Sequence, residues 1–291
     1  MIAHTIADTS LCLAPPQSFE DPPPFAGNAV GKEGLREYMD SGYFAIDMLQ
    51  DGGDRISRAL DFGFADFAVS NALKVLAELP SNSDKRGELL QRATILAQRS
   101  TLAASKLFDQ GSGLMAPKDR SGRTVPGFNP FEWGNGFTEG NAWHHSFPPY
   151  ALPTLVQLHG SESALLVKLH QILTAPGRFD VGSYGQEIHE MTEARALAMG
   201  QYSHNNQPCH HLLYLFAQLG DRATTELNVR EVMNRGYGPD FFAGDEDNGE
   251  MGAWFVLSAL GLFVTTPGLH AFNSPPSFLS PSSRNFVMIH V

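Results

Sequence analysis

Apolar residues recur at helical spacing from about residue 55. Ile56, Leu60, Phe64, Phe67 and Ala68 share one face, and a Pro80-Ser-Asn-Ser83 break ends the segment. A longer helix is predicted over 84–108. Leu89, Ala93, Leu96, Ala97, Ser100, Ala104, Leu107 and Phe108 hold one side, Lys85, Arg86, Glu88, Arg92 and Arg99 line the other, and Gly111 and Gly113 stop it. Three further amphipathic stretches follow near 150–174, 208–235 and 249–263, separated by loops dense in Gly, Pro, Asn and aromatic residues. Period-2 alternation is scarce, and only the tail after Pro267 has room for a strand or two. Residues 1–34 carry Pro15, Pro16, Pro22, Pro23 and Pro24 without apolar periodicity and are predicted to be an extended lead-in. Paired helices with long polar and aromatic loops predict an all-α domain over 35–291, an array of α/α hairpins with its chemistry on the loops.

Composition narrows the classes. With 20 Phe, 7 Tyr and 3 Trp in 291 residues, the chain is neither disordered nor collagen-like. Lys and Arg total 20 against 31 Asp and Glu, a net charge of −11, which argues against a nucleic-acid or anionic-membrane binder. No run approaches the ~18 apolar residues of a membrane-spanning helix. The first residues, MIAHTIADTSLCLAPPQ, show no basic region followed by a sustained apolar one, so no signal peptide is read. Cys12 and Cys209 are too few for a disulfide framework and match no zinc spacing, so both are expected as free thiols.

Four stretches carry candidate chemistry. In FNPFEWGNGFTEGNAW (128–143), five aromatic side chains surround Glu132 and Glu139. A carboxyl among rings is poorly solvated and so favours the protonated form that a general acid needs, although the same aromatics also suit a purely structural loop. Rings beside Asn and Glu fit a sugar, which offers a C–H face and hydroxyl edges. In YGQEIHEMTE (184–193), Glu193 stands where the zinc-protease pattern H-E-x-x-H requires a second His, which removes that reading and leaves Glu187, His189, Glu190 and Glu193 as polar contacts or a solvated helix start. In QYSHNNQPCHH (201–211), Asn205, Asn206 and Gln207 offer neutral oxygens of the kind Ca²⁺ accepts. Cys209, His210 and His211 point about 100° apart on a helix and cannot all face one ion, so the two His are expected to be packed or hydrogen-bonded. In GDEDNGEMGAW (244–254), the Gly falls one place early for an EF-hand and Val256 stands where the bidentate Glu is required. What remains is Asp245 and Asp247 in a glycine-bounded loop, either a base pair able to activate water or a helix start decorated with acids. There is no G-x-S-x-G elbow, no P-loop and no dinucleotide fingerprint.

On PFEWGNGFTEGNAW, GQYSHNNQPCHHLLYLFAQLG and AGDEDNGEMGAWFVLSALGLF, with GLMAPKDRSGR and FNSPPSFLS as weaker support, the sequence resembles glycoside hydrolase family 92, calcium-dependent, inverting, exo-acting α-mannosidases, over roughly residues 35–280. The resemblance implies an (α/α)6-toroid catalytic domain, here incomplete and without the β-sandwich domain that precedes it in the family. It implies hydrolysis of terminal α-linked mannose from glycans, with acid and base carboxyls about 6.5–9.5 Å apart around a water. Carried over, Glu139 is the general acid and Asp245 and Asp247 the base pair. Asn206, Gln207 and Asp247 hold Ca²⁺, and Glu132, Trp133, Trp143, His204 and Asn205 contact the sugar. Asn205 follows His204 where α-1,2-specific members resemble His-Glu, and Gln207 stands where many members have Glu. The rival expectation is a truncated, catalytically silent relative that binds sugar or a partner, and association through uncovered helix faces is expected.

Overall fold

The computed structural model describes residues 34–47 and 54–266. The lead-in before Gly34, and the tail from Pro267 where strands are expected, lie outside the described residues. Helix α1 (Leu35–Ser41) precedes a hairpin of α2 (Arg55–Glu78) and α3 (Arg86–Ser100), turned by a 3₁₀ segment at Pro80–Asn82. α4 (Leu102–Leu107) runs into a two-residue antiparallel ladder of β1 (Phe108–Asp109) and β2 (Leu114–Met115). A long loop then leads to α5 (Ala142–His145) and to a second hairpin of α6 (Leu152–His159) and α7 (Glu162–Thr174). After α8 (His189–Leu197) comes a third hairpin of α9 (Leu212–Gln218) and α10 (Arg222–Arg235). The ladder of β3 (Tyr237–Gly238) and β4 (Phe241–Phe242) and helix α11 (Glu250–Ala259) complete the described chain. Among the described residues the fold is all-α and toroid-like: α4 packs on α2 and α6, and α7 packs on α9, so that successive hairpins adjoin.

The expected helices are present but shorter. The one expected over 84–108 divides at Thr101 and ends at Leu107, before the expected glycines, because Phe108 and Asp109 pair with Met115 and Leu114. The stretch 150–174 divides at Gly160, whose φ of 92° only glycine adopts freely, and Ser161 caps α7 by accepting the Ala164 N–H at 3.1 Å. The stretch 208–235 divides in the same way at Gly220 (φ 90°), after which the Asp221 carboxylate caps α10. Pro208 sits in a 3₁₀ turn, Gln207–Cys209, just before α9.

Two expected faces are corrected. Phe64 is exposed, while Ile56 and Leu60 are buried as expected, together with Phe62 and Asp66. Arg99, expected on the solvent side, is buried against Asp66. Its Nε and Nη2 donate to the two carboxylate oxygens at 2.5 and 2.9 Å, and Tyr38 donates a third hydrogen bond at 3.2 Å. The core centres on Trp254, Tyr214, Tyr202, Phe216 and Phe147, with a satellite between α2 and α3 and another around Trp133. On α11, Val256, Leu257 and Leu260 remain exposed.

Candidate active site

The loop between β2 and α5 carries Glu139 with a left-handed backbone, φ 47°. Its N–H donates to the Tyr184 hydroxyl at 2.9 Å, and its carbonyl accepts the Asn206 carboxamide N–H at 2.8 Å. Its side chain is exposed on a cavity of about 810 Å³, which it lines together with Asp61, His145, Gln207, His211 and Glu250. Downstream, Asn141 caps α5 in a reciprocal box with His144. Burial lowers His144 to about 3 and His145 to about 4, so both rings are neutral near pH 7.

The segment 203–211 crosses behind this loop. His204 is buried, its Nδ1 and Nε2 meeting the Tyr202 and Tyr237 hydroxyls at 2.9 and 2.8 Å. Burial, and then the nearby His210, hold it well below the usual histidine range. Asn205 is also buried. Its amide donates to the Glu190 carbonyl and the Glu193 carboxylate, and its oxygen accepts from Ser203. Neither residue lines the cavity; both tie the segment to α8 and to the aromatic core. Asn206 is buried and spends its amide nitrogen on the Glu139 carbonyl. Gln207 lines the cavity and donates to the Asp247 carboxylate.

The acidic loop 244–249 is fixed at both ends. A methyl group on Gly244 would overlap the Asn205 carbonyl oxygen, so the loop lies on the backbone of the preceding segment. Asp247 (φ 45°), Asn248 (φ 61°) and Gly249 (φ 95°) form a left-handed run that turns the chain into α11. Asp245 and Asp247 are exposed, and Asp245 lies 3.9 Å from the His189 ring. The Asn206–Glu139 and Gln207–Asp247 bonds link the three segments; Glu139 and Gln207 line the cavity, whereas Asn206, Asp245 and Asp247 are not among its lining residues.

The remaining expected sugar contacts lie elsewhere. Trp133 is fully buried among His144, Phe179 and Tyr184, and Trp143 packs between Phe131 and Lys168; neither lines the cavity. Glu132 is half-buried and accepts from Asn129 and Asn135. His210 and His211 are hydrogen-bonded, as expected. Among the described residues no three His, Cys, Asp or Glu side chains converge on a metal position. Burial pushes the Cys209 thiol up to about 12.

Sequence reasoning passed over Glu250. It lines the cavity and meets the buried His210 Nδ1 at 2.7 Å, a bond that holds its carboxyl below the usual range. The only signal was its place at the first turn of an apolar helix, which a dipole-matched surface acid shares.

The model of the glycosyl hydrolase family 92 catalytic domain matches residues 13–280. The chain belongs to glycosyl hydrolase family 92. Among solved structures, this family 92 chain is similar to the inverting mannosidase BT2199 of Bacteroides thetaiotaomicron VPI-5482. The two are 28% identical with a TM-score of 0.66, over 92% of this chain and 33% of that one. The α-mannosidase BT3965 of the same organism shares the fold at 24% identity and a TM-score of 0.61, over 83% of this chain and 28% of that one. Its complex with mannoimidazole gives 20% identity and a TM-score of 0.63, over 83% and 30%. The family 92 chain thus spans about a third of the length of the solved structures it matches. A comparison with curated proteins returns no match.

Proposed function

We propose that this chain hydrolyses terminal α-linked mannose from glycans, with inversion and with assistance from Ca²⁺. The observation that carries the reading is that Glu139 lines the cavity while Asn206 holds its backbone carbonyl and the adjacent Gln207 holds the Asp247 carboxylate, within a family 92 catalytic domain. Glu139 gives its proton to the glycosidic oxygen as the bond to C1 breaks. Asp245 and Asp247 accept a proton from a water whose oxygen bonds to C1 from the opposite face, releasing mannose of inverted anomeric configuration.

The donor set fits a hard cation: the carboxamide oxygens of Asn206 and Gln207 and the carboxylate of Asp247 are all oxygen, with a single negative charge. When bound there, Ca²⁺ supplies charge that binds and orients sugar hydroxyls. Gln207 already holds Asp247, so removing that carboxylate also frees the amide. The test is mannose release from an aryl α-mannoside and a set of α-mannobioses, with Ca²⁺ and then with chelator. Turnover lost on chelation, restored by Ca²⁺ and weakened in Asp247→Ala supports the reading. Folded protein without turnover in either state overturns it in favour of a silent sugar-binding relative.

A further inference from the structure

Both peptide units flanking Glu139 are pinned by side chains, and one of the pins is a closed ring of hydrogen bonds that the acid/base reading does not use. The Thr138 N–H donates to Ser57 Oγ at 2.9 Å. His145 Nε2 lies 2.8 Å from the Thr138 carbonyl, which only accepts, so Nε2 carries the ring proton. In the neutral ring Nδ1 is then an acceptor, and it lies 3.3 Å from Ser57 Oγ, which completes the ring by donating its hydroxyl hydrogen. Burial holds His145 at about 4, which keeps this tautomer through neutral pH.

The anchor is rigid. Ser57 lies in the first turn of α2, where the Ile56 and Ser57 N–H groups both donate to the Gly136 carbonyl at 2.8 and 3.1 Å. The loop is therefore held at Gly136 and again at Thr138 by the start of a 24-residue helix. Close packing adds to this, since a Cβ on Gly140 would sit 2.8 Å from His144 Nδ1 and 3.0 Å from His145 Nε2. The Thr138 carbonyl and the Glu139 N–H belong to one peptide unit, held by His145 on one side and Tyr184 on the other. The next unit is held by Asn206. With both planes fixed, φ at Glu139 is fixed in the left-handed region that an unclamped glutamate seldom adopts.

We infer that Ser57 and His145 are a positioning pair for Glu139, locking the backbone from which its carboxyl is aimed into the cavity. The inference rests on Glu139 being the general acid. It places specificity for leaving groups partly in α2, outside the three sequence blocks that carry the candidate carboxylates and amides.

The test compares the full-length wild type with Ser57→Ala and Ser57→Thr, Tm being measured for each so that folded protein is compared. Ser57→Ala is expected to lose protection of the Thr138 amide against hydrogen exchange by at least about tenfold, while amides in the middle of α2 keep theirs. With a poor leaving group kcat is expected to fall roughly 10–100-fold at near-constant KM, and with an activated aryl α-mannoside to change little. Ser57→Thr, which keeps the hydroxyl, is expected to restore both. Unchanged Thr138 protection in Ser57→Ala overturns the clamp. Lost protection with equal kcat changes on both substrates overturns the positioning role and leaves a structural one. A wild type without turnover overturns the acid role of Glu139, and the positioning role with it, while Thr138 exchange separately reports whether the ring of hydrogen bonds exists.

Discussion

Glu139 and Asp247 share a backbone oddity, φ of 47° and 45°. Non-glycine residues in this region cost of order 1–3 kcal/mol and persist where their surroundings over-determine them. Asn206 reaches the carbonyl of the first and Gln207 the carboxylate of the second, so two adjacent residues of one segment hold both. For Glu139→Gln, which keeps the size but cannot give up a proton, turnover of glycosides with poor leaving groups is expected to fall about 10²–10⁴-fold. Activated aryl glycosides should lose much less, since their leaving group departs unprotonated. Equal losses across a leaving-group series would argue against the acid role. The blocks that carry these two residues were legible in the sequence because they are compact and specific. Their geometry was not, because the left-handed φ of Glu139 comes from partners 45 and 67 residues away, Tyr184 and Asn206. Trp133 and Trp143 read as sugar platforms but are spent on packing, and His204 and Asn205 turned inward to support the segment between them.

At the scale of the helix, Arg99 shows how a periodic reading fails. On α3 it continues the charged stripe of Lys85, Arg86, Glu88 and Arg92, and sequence alone assigns it to solvent. In the structure a fork of hydrogen bonds ties it to Asp66 on α2, while Tyr38 on α1 joins the same carboxylate and its ring lies 5.8 Å from the guanidinium carbon. The charge is thus buried because its partner is 33 residues away, information that no window along one helix contains. Asp66→Ala is expected to destabilise by about 3–5 kcal/mol, since it removes the buried carboxylate shared by two Arg99 N–H groups and the Tyr38 hydroxyl. Urea unfolding should show this as a lowered midpoint at unchanged slope. A loss below about 1 kcal/mol would mean that the pair behaves like a surface ion pair. The longer helices were legible because their apolar stripes are long, whereas the short α1, α5 and α8 were not assigned from the sequence. The breaks at Gly160 and Gly220 were not read from the sequence; each depends on a left-handed glycine followed by a capping Ser161 or Asp221.

Across the whole molecule, neutral buried histidines link the cavity to stability. Burial lowers His144 to about 3 and His145 and His211 to about 4, against 6.5 for an exposed ring. Between pH 4 and 6.5 the unfolded chain therefore binds protons at these three positions that the folded chain refuses. Stability rises with pH across that window, is fully present above 6.5 and is lost as pH falls towards 4. By pH 4.5 each ring contributes a loss of roughly 2–3 kcal/mol, the lower end for His145 and His211, whose edges reach the cavity. Depressed carboxylates such as Asp221 and Glu250 act only below about pH 4.5, and His189, raised by Glu193 and its acidic neighbours, is exposed and opposes the trend weakly. Thermal melts from pH 7.5 to 4.5 should show a steep fall in Tm below about 6.5, with the cavity histidines remaining neutral by NMR until unfolding. A Tm flat to pH 5, or ring resonances titrating near 6.5 in folded protein, would mean that water reaches these rings. The cavity wall, and with it the His145 contact to the acid loop, would then be looser than the hydrogen bonds describe.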